Sequence, residues 1–190
     1  MENDEIKKEP VDSKFLKKAT FAGGCFWCME AAFEELDGVI DVISGYSGGE
    51  EVNPTYKDVS SGKTGHYEAI QITFDSSNIT YGELMDFFWR QIDPTDAGGQ
   101  FVDRGAQYRS AIFYHDEAQK EAAENSTADL SKSGKLDEPM VTKILPYTTF
   151  YKAEEYHQDY SKKRTLQYQL YKKGSGRGKR LSKLWENQLK

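Results

Sequence analysis

Apolar and polar residues alternate in blocks that switch between a two-residue and a 3.6-residue period. The stretch 17–24, KKATFAGG, reads as a short strand running into a glycine turn. From 25 to 38, CFWCMEAAFEELDG places Phe26, Met29, Phe33 and Leu36 at helical spacing, with Gly38 as a stop. VIDVISGYSGG (39–49) is β-branched and alternating, and HYEAIQITFD (66–75) resumes as a strand. TYGELMDFFWRQID (80–93) opens with Thr80 and Glu83 in capping-box spacing and reads as a helix. YRSAIFYH (108–115) is a strand, and 116–132 is a helix with an acidic first turn. A last strand is expected in MVTKIL (140–145) and a short helix in 153–163. Two long polar loops, 50–65 and 94–107, interrupt this order and are long enough to suggest a purpose.

The order to residue 115 is β-α-β followed by β-α-β. It predicts an α+β fold, a ferredoxin-like two-layer α/β sandwich with a C-terminal extension. A chain of 190 residues suits one domain. Residues 1–15 are expected to be disordered by composition, 16–160 to form the catalytic domain, and 161–190 to form a basic tail, wrapping or flexible.

Charge refines this picture. The formal net charge is −6, yet 162–183 carries nine Lys or Arg residues and no acidic one. Such a tail suits either nucleic acid or an acidic body of the same chain. No nucleic-acid motif accompanies it, so no nucleic acid is expected. No stretch approaches the length of a membrane span, and MENDEIKKEP carries no apolar run. A cytoplasmic protein without membrane attachment is expected.

Both cysteines lie in GGCFWCME (23–30). Two cysteines three apart exclude a disulfide-stapled secreted scaffold and point to redox or metal chemistry. If the helix begins near Cys25, the helix N-terminus favours its thiolate and should lower its pKa. Cys28 lies one turn on, the layout of a disulfide-cycling nucleophile. Three readings stay open: redox chemistry, a buried structural cysteine, and zinc, for which the three histidines, His66, His115 and His157, lack ligand spacing. Phe26 and Trp27 are adjacent and cannot both face one core, so one is expected beside the active thiol. Thioethers pack well on such aromatics.

GGCFWCME strongly resembles the active-site segment of the methionine sulfoxide reductase A family. GYSGG (45–49), NPTY (53–56), SGKTGHYEAI (61–70), FFWRQIDPT (87–95) and DRGAQYRSAIFY (103–114) match that family in the same order, and the resemblance covers about residues 17–160. It implies the ferredoxin-like sandwich and reduction of the S epimer of methionine sulfoxide, free or in oxidised proteins. It implies Cys25 as nucleophile, Glu68 as proton donor to the sulfoxide oxygen, Tyr56 and Tyr108 as hydrogen-bond donors to it, and Asp103 as support for the thiolate. Phe26 and Trp27 would hold the methyl group, with His66 and Arg109 in supporting roles. No metal or prosthetic cofactor is implied. A thioredoxin- or glutaredoxin-like thiol reductant would regenerate the enzyme, which is expected to act as a monomer.

The chain departs from the family in one respect. Many members carry recycling cysteines in a C-terminal tail; here 161–190 has none, and Ser60 stands where some relatives have one. Either Cys28 resolves the sulfenic acid or the external reductant attacks it directly. Two competing readings remain: a thioredoxin-like thiol–disulfide oxidoreductase, which needs no proton donor at Glu68, and a metal- or partner-binding module.

Overall fold

The computed structural model describes residues 12–185. Its fold is mixed α/β. The chain order is β1 (Leu16–Gly23), α1 (Phe26–Phe33), β2 (Val39–Ser47), α2 (Tyr56–Ser60), β3 (Tyr67–Asp75) and α3 (Tyr81–Gln91). There follow β4 (Gly99–Gln100), β5 (Asp103–Arg104), β6 (Ser110–Tyr114), α4 (Glu117–Lys132), β7 (Lys143–Pro146) and β8 (Phe150–Lys152), then α5 (Tyr160–Lys163), α6 (Thr165–Gly174) and α7 (Arg177–Trp185).

Six strands form one sheet in the order β7-β6-β1-β3-β2-β8. All neighbours are antiparallel except β6 and β7, which are parallel. Strands β1 and β3 are central, so β3 is buried along nearly its whole length rather than alternating. Phe21 of β1 stacks on Phe88 of α3 at 4.8 Å and lies 5.8 Å from Phe33 of α1, which ties both helices to one face. Ala22, Tyr67, Ala69, Ala111 and Phe113 pack together as a second buried cluster.

Capping follows the sequence signals. Thr80 and Glu83 close a full capping box on α3, and Asp116 caps α4. Helix α1 has no local side-chain cap. The Glu68 carboxyl of β3 takes that role, accepting the Phe26 amide at 3.1 Å. Register explains the meeting. Phe21 pairs with Ile70, so the end of β1 reaches the start of β3. Gly23 pairs with Ser110 on the other side. The N-terminus of α1, the start of β3 and the start of β6 therefore share one end of the sheet.

Several expectations need correction. Helix α1 ends at Phe33, three residues before Leu36. The first polar loop holds α2, capped by a Thr55–Asp58 capping box, and the second holds the β4–β5 hairpin. The last predicted strand begins at Lys143 rather than Met140, and β8 is an additional edge strand on β2. The segment 153–163 is a 3-10 turn (Glu155–His157) followed by α5. Of the N-terminal segment expected to be disordered, 1–11 lies outside the described residues. Ser13–Phe15 forms a 3-10 turn capped by Asp12, and the Phe15 carbonyl accepts the Ser76 amide at 2.8 Å.

The chain does not break at 160. Helix α5 spans that position, and α6 and α7 continue it over the sheet end that carries Cys25. Through 185, the basic segment is folded. Arg177 is 4% exposed, and Arg180 pairs with the buried Asp93 at 2.6 Å. Among the described residues, no helix is long and apolar enough to cross a membrane.

Candidate active site

Cys25 is the N-cap residue of α1. The turn that delivers it requires Gly24. That residue sits at φ +84°, and a Cβ there would come within 2.6 Å of the Gln100 side chain. Gln100 is itself locked, accepting from the Asp93 amide and donating to the Asp93 carbonyl, both at 2.8 Å.

Around Cys25 lies a pocket of about 190 Å³. Its walls are Cys25, Phe26, Trp27, Tyr56, Glu68, Asp103 and Tyr108, together with Tyr171 from α6. Seven side chains singled out in the sequence thus come together from α1, α2, β3, β5 and the 3-10 turn before β6. Cys28 does not line the pocket. It lies beneath, 4% exposed, and its thiol interacts with that of Cys25.

The aromatic wall is fixed from behind. Trp27 stacks on Tyr160 at 3.8 Å and 7°, donates its indole N–H to His157 Nδ1 at 3.1 Å, and meets the Tyr171 ring edge-on at 5.8 Å. Phe26 packs against Tyr46, Tyr56 and His157. Glu154 anchors the tyrosine side, accepting the Tyr56 amide and the Tyr46 hydroxyl, both at 2.7 Å.

Burial sets the electrostatics. Glu68 is 2% exposed, and burial, with the Asp103 charge adding to it, pushes its carboxyl up to about 8 despite the Phe26 amide. It is therefore largely protonated at neutral pH. Burial likewise raises Asp103, against the opposing effects of Tyr171 and Arg177. Tyr56 is raised to about 12 by burial and by Glu68, and Tyr108 is raised too, so both remain hydrogen-bond donors.

The cysteines differ from expectation. Cys25 is 5% exposed, and burial, then its neighbour Cys28, drives its thiol up rather than down. The helix N-terminus does not reverse this, because its amides are engaged elsewhere. The Phe26 amide bonds Glu68, and those of Cys28 and Met29 bond the Cys25 carbonyl. Cys28 is the thiol that falls, to about 7, through the hydrogen bond from Cys25 and the nearby Arg177 charge.

The supporting motifs resolve as structure. His66 accepts the Gly49 amide on Nδ1 and pairs with the Glu51 carbonyl through Nε2. Arg109 lies over the Tyr67 ring and bonds the Ala106 carbonyl. Among the described residues, no three His, Cys, Asp or Glu side chains form a group that could hold a metal ion.

A neutral buried acid, a thiol and phenol donors around one small pocket suit the reduction of a polar S–O group. The family model for peptide methionine sulfoxide reductase matches residues 17–189. The chain belongs to this family. As a peptide methionine sulfoxide reductase, it is 57% identical over 171 residues to the peptide methionine sulfoxide reductase MsrA of Listeria monocytogenes serotype 4b, covering 90% of this chain and 97% of that protein. The reduced form of Mxr1 from Saccharomyces cerevisiae superposes with a TM-score of 0.74 at 38% identity, covering 82% of this chain and 90% of that one. The same yeast protein in complex with Trx2 matches with a TM-score of 0.54 at 30% identity, over 81% and 91% of the two chains.

Sequence reasoning about this reductase missed Tyr171, His157 and Arg177. The signal for Tyr171 was present but faint. Tyr168 and Tyr171 lie three apart, one face of a helix, within a run dominated by lysines.

Proposed function

We propose that this reductase acts on the S epimer of methionine sulfoxide, in oxidised proteins or free, with Cys25 as nucleophile and Glu68 as acid. The observation that carries this reading is Glu68, a carboxyl held neutral at pH 7 in the same pocket as the only thiol that lines it. A sulfoxide oxygen is a poor leaving group until protonated. Glu68 gives it a proton, and the Tyr56 and Tyr108 hydroxyls stabilise the developing charge as the S–O bond weakens. The methyl group sits against Phe26 and Trp27.

The electrons balance in two steps. The Cys25 sulfur attacks the sulfoxide sulfur, methionine leaves reduced by two electrons, and Cys25 carries the hydroxyl as a sulfenic acid. Cys28, one turn along the helix that Cys25 caps, then attacks the sulfenic sulfur; water leaves and a 25–28 disulfide forms. An external thioredoxin-type dithiol reopens it, in line with the Trx2 complex of the yeast relative. The cycle needs no prosthetic group. We take the protein to act as a monomer, and two free cysteines suit a reducing compartment such as the cytoplasm. We also read β6-β1-β3-β2 with α1 and α3 as the ferredoxin-like double unit, since its strand order and antiparallel neighbours fit that unit.

A single-turnover assay without reductant tests the reaction. Reduced protein is mixed with a resolved S-sulfoxide of a methionine derivative, and methionine formed and thiols lost are counted. One methionine with two thiols lost is the expected result. One methionine with one thiol lost would transfer resolution to the external donor. No methionine with thiols intact would overturn the reading in favour of a thiol–disulfide oxidoreductase.

A further inference from the structure

The proposed reaction leaves one proton unexplained. Cys25 must become a thiolate, yet the buried site holds it as a thiol. Glu68 is unsuited to remove that proton, because it must itself be protonated to serve the oxygen. Cys28 is needed later as a nucleophile.

Tyr171 fills this gap. Its hydroxyl donates to Asp103 Oδ2, and Tyr171 faces Cys25 across the same small pocket. All three groups line the pocket. Tyr171 cannot drift from this position. Its ring stands edge-on to Trp27, and the end of α6 is tied to the Asp103 hairpin by the Val102 amide, which bonds the Ser175 carbonyl at 3.1 Å. One turn beyond, the Arg177 guanidinium lies 4.6 Å from the Phe101 ring and donates to the Gln91 carbonyl at 2.6 Å.

We propose that Tyr171 is a further catalytic residue, relaying the Cys25 proton to Asp103. The Cys25 S–H bond breaks as its proton passes to the Tyr171 oxygen. The original Tyr171 proton moves to Asp103 Oδ2. The products are a thiolate, a neutral tyrosine and a neutral carboxyl. Tyr171 suits a relay rather than a terminal base, because burial and the Cys25 charge strongly oppose its ionisation. Asp103 suits the terminal position, because burial makes it more basic than an exposed aspartate. After oxygen transfer, Glu68 is left ionised and Asp103 protonated. A proton exchanged through the open pocket restores both.

The inference rests on the reaction proposed above, and its test has a readout that does not. In a Cys28→Ser background, Cys25 is the only thiol. Its alkylation by iodoacetamide is followed against pH with Tyr171 present and in Tyr171→Phe. The relay predicts about tenfold slower alkylation at pH 7 in the phenylalanine variant, with the profile displaced to higher pH. With Cys28 intact, the chemical step of S-sulfoxide reduction should fall by about 10²-fold with KM little changed. Asp103→Asn should reproduce the loss, and the double variant should add little to it, since both act on one proton. Superimposable alkylation profiles with and without the Tyr171 hydroxyl would overturn the relay, as would additive losses in the double variant. If Tyr171→Phe does not fold, the Asp103→Asn alkylation profile decides in its place. Failure of the unsubstituted protein to form methionine would remove the proposed reaction and leave the alkylation comparison standing.

Discussion

The Arg177 guanidinium donates to the Gly23 carbonyl at 3.2 Å, joining residues 154 positions apart immediately before the turn that delivers Cys25. Arg177 is an anchor with no apolar substitute. It serves two carbonyls, Gly23 and Gln91, and contributes to the low pKa of Cys28. Arg177→Met should therefore cost about 2–4 kcal/mol in urea unfolding, because the buried Gly23 carbonyl and the half-buried Gln91 carbonyl both lose a charged donor. In the folded variant the Cys28 thiol should titrate above its value of about 7, read from ultraviolet thiolate absorbance.

Glu68 should impose two pH dependences. As the proposed proton donor it must be protonated, so the chemical step should fall as pH rises through about 8. Glu68→Gln should slow that step by about 10²–10⁴-fold and remove this limb, measured as single-turnover rate against pH. The stability effect has a definite sign. The folded state binds the Glu68 proton more tightly than the unfolded chain, so its contribution is fully present below about 4.5 and is lost as pH rises through about 8. Unfolding midpoints of Glu68→Gln should fall less than those of the unsubstituted protein between these values.

Gly24→Ala tests the turn. A side chain at φ +84° is strained, and its Cβ meets the locked Gln100 at 2.6 Å. A loss of about 1–3 kcal/mol in denaturant unfolding is expected. Alkylation of Cys25 should also change as the turn shifts. An unchanged midpoint would show that the turn relaxes.

His157→Leu should leave the half-buried Trp27 indole N–H without its acceptor. Stability should fall by about 1–3 kcal/mol. KM for the sulfoxide should rise severalfold while kcat changes little, because the substituted residue holds the methyl wall rather than the reacting atoms.

Cys28→Ser should still form one methionine per protein in a single turnover, with one thiol lost. The sulfenic acid should then be trapped by dimedone, which it resists when Cys28 is present.

The parts legible in the sequence were those in which local pattern and tertiary setting agree. The Thr80–Glu83 box, the alternating β2 and the apolar β3 each declare themselves, and the candidate residues sit in motifs that resemblance could number. The five-residue helix that places Tyr56 was hidden, because one turn is too short to show a period; only Thr55 and Asp58 marked it. Helices α6 and α7 were hidden for another reason. Leu166 and Leu170 of α6 face solvent while Tyr168 is buried, and α7 begins at the buried Arg177 and packs Trp185 on the core, so no single apolar stripe runs through both helices. The direction of the Cys25 shift was also out of reach. It depends on enclosure by residues 30 to nearly 150 positions away, which no local spacing reports.

The bond from Arg177 to Gly23 also governs when the protein can work during its synthesis. Cys25, Glu68 and Tyr108 leave the ribosome early, but Tyr171 and the cation behind the Gly23 turn come long after them. A nascent chain that has not yet extended through 165–174 presents Cys25 without the wall from α6. The pocket around Cys25 is completed only when Tyr171 joins it.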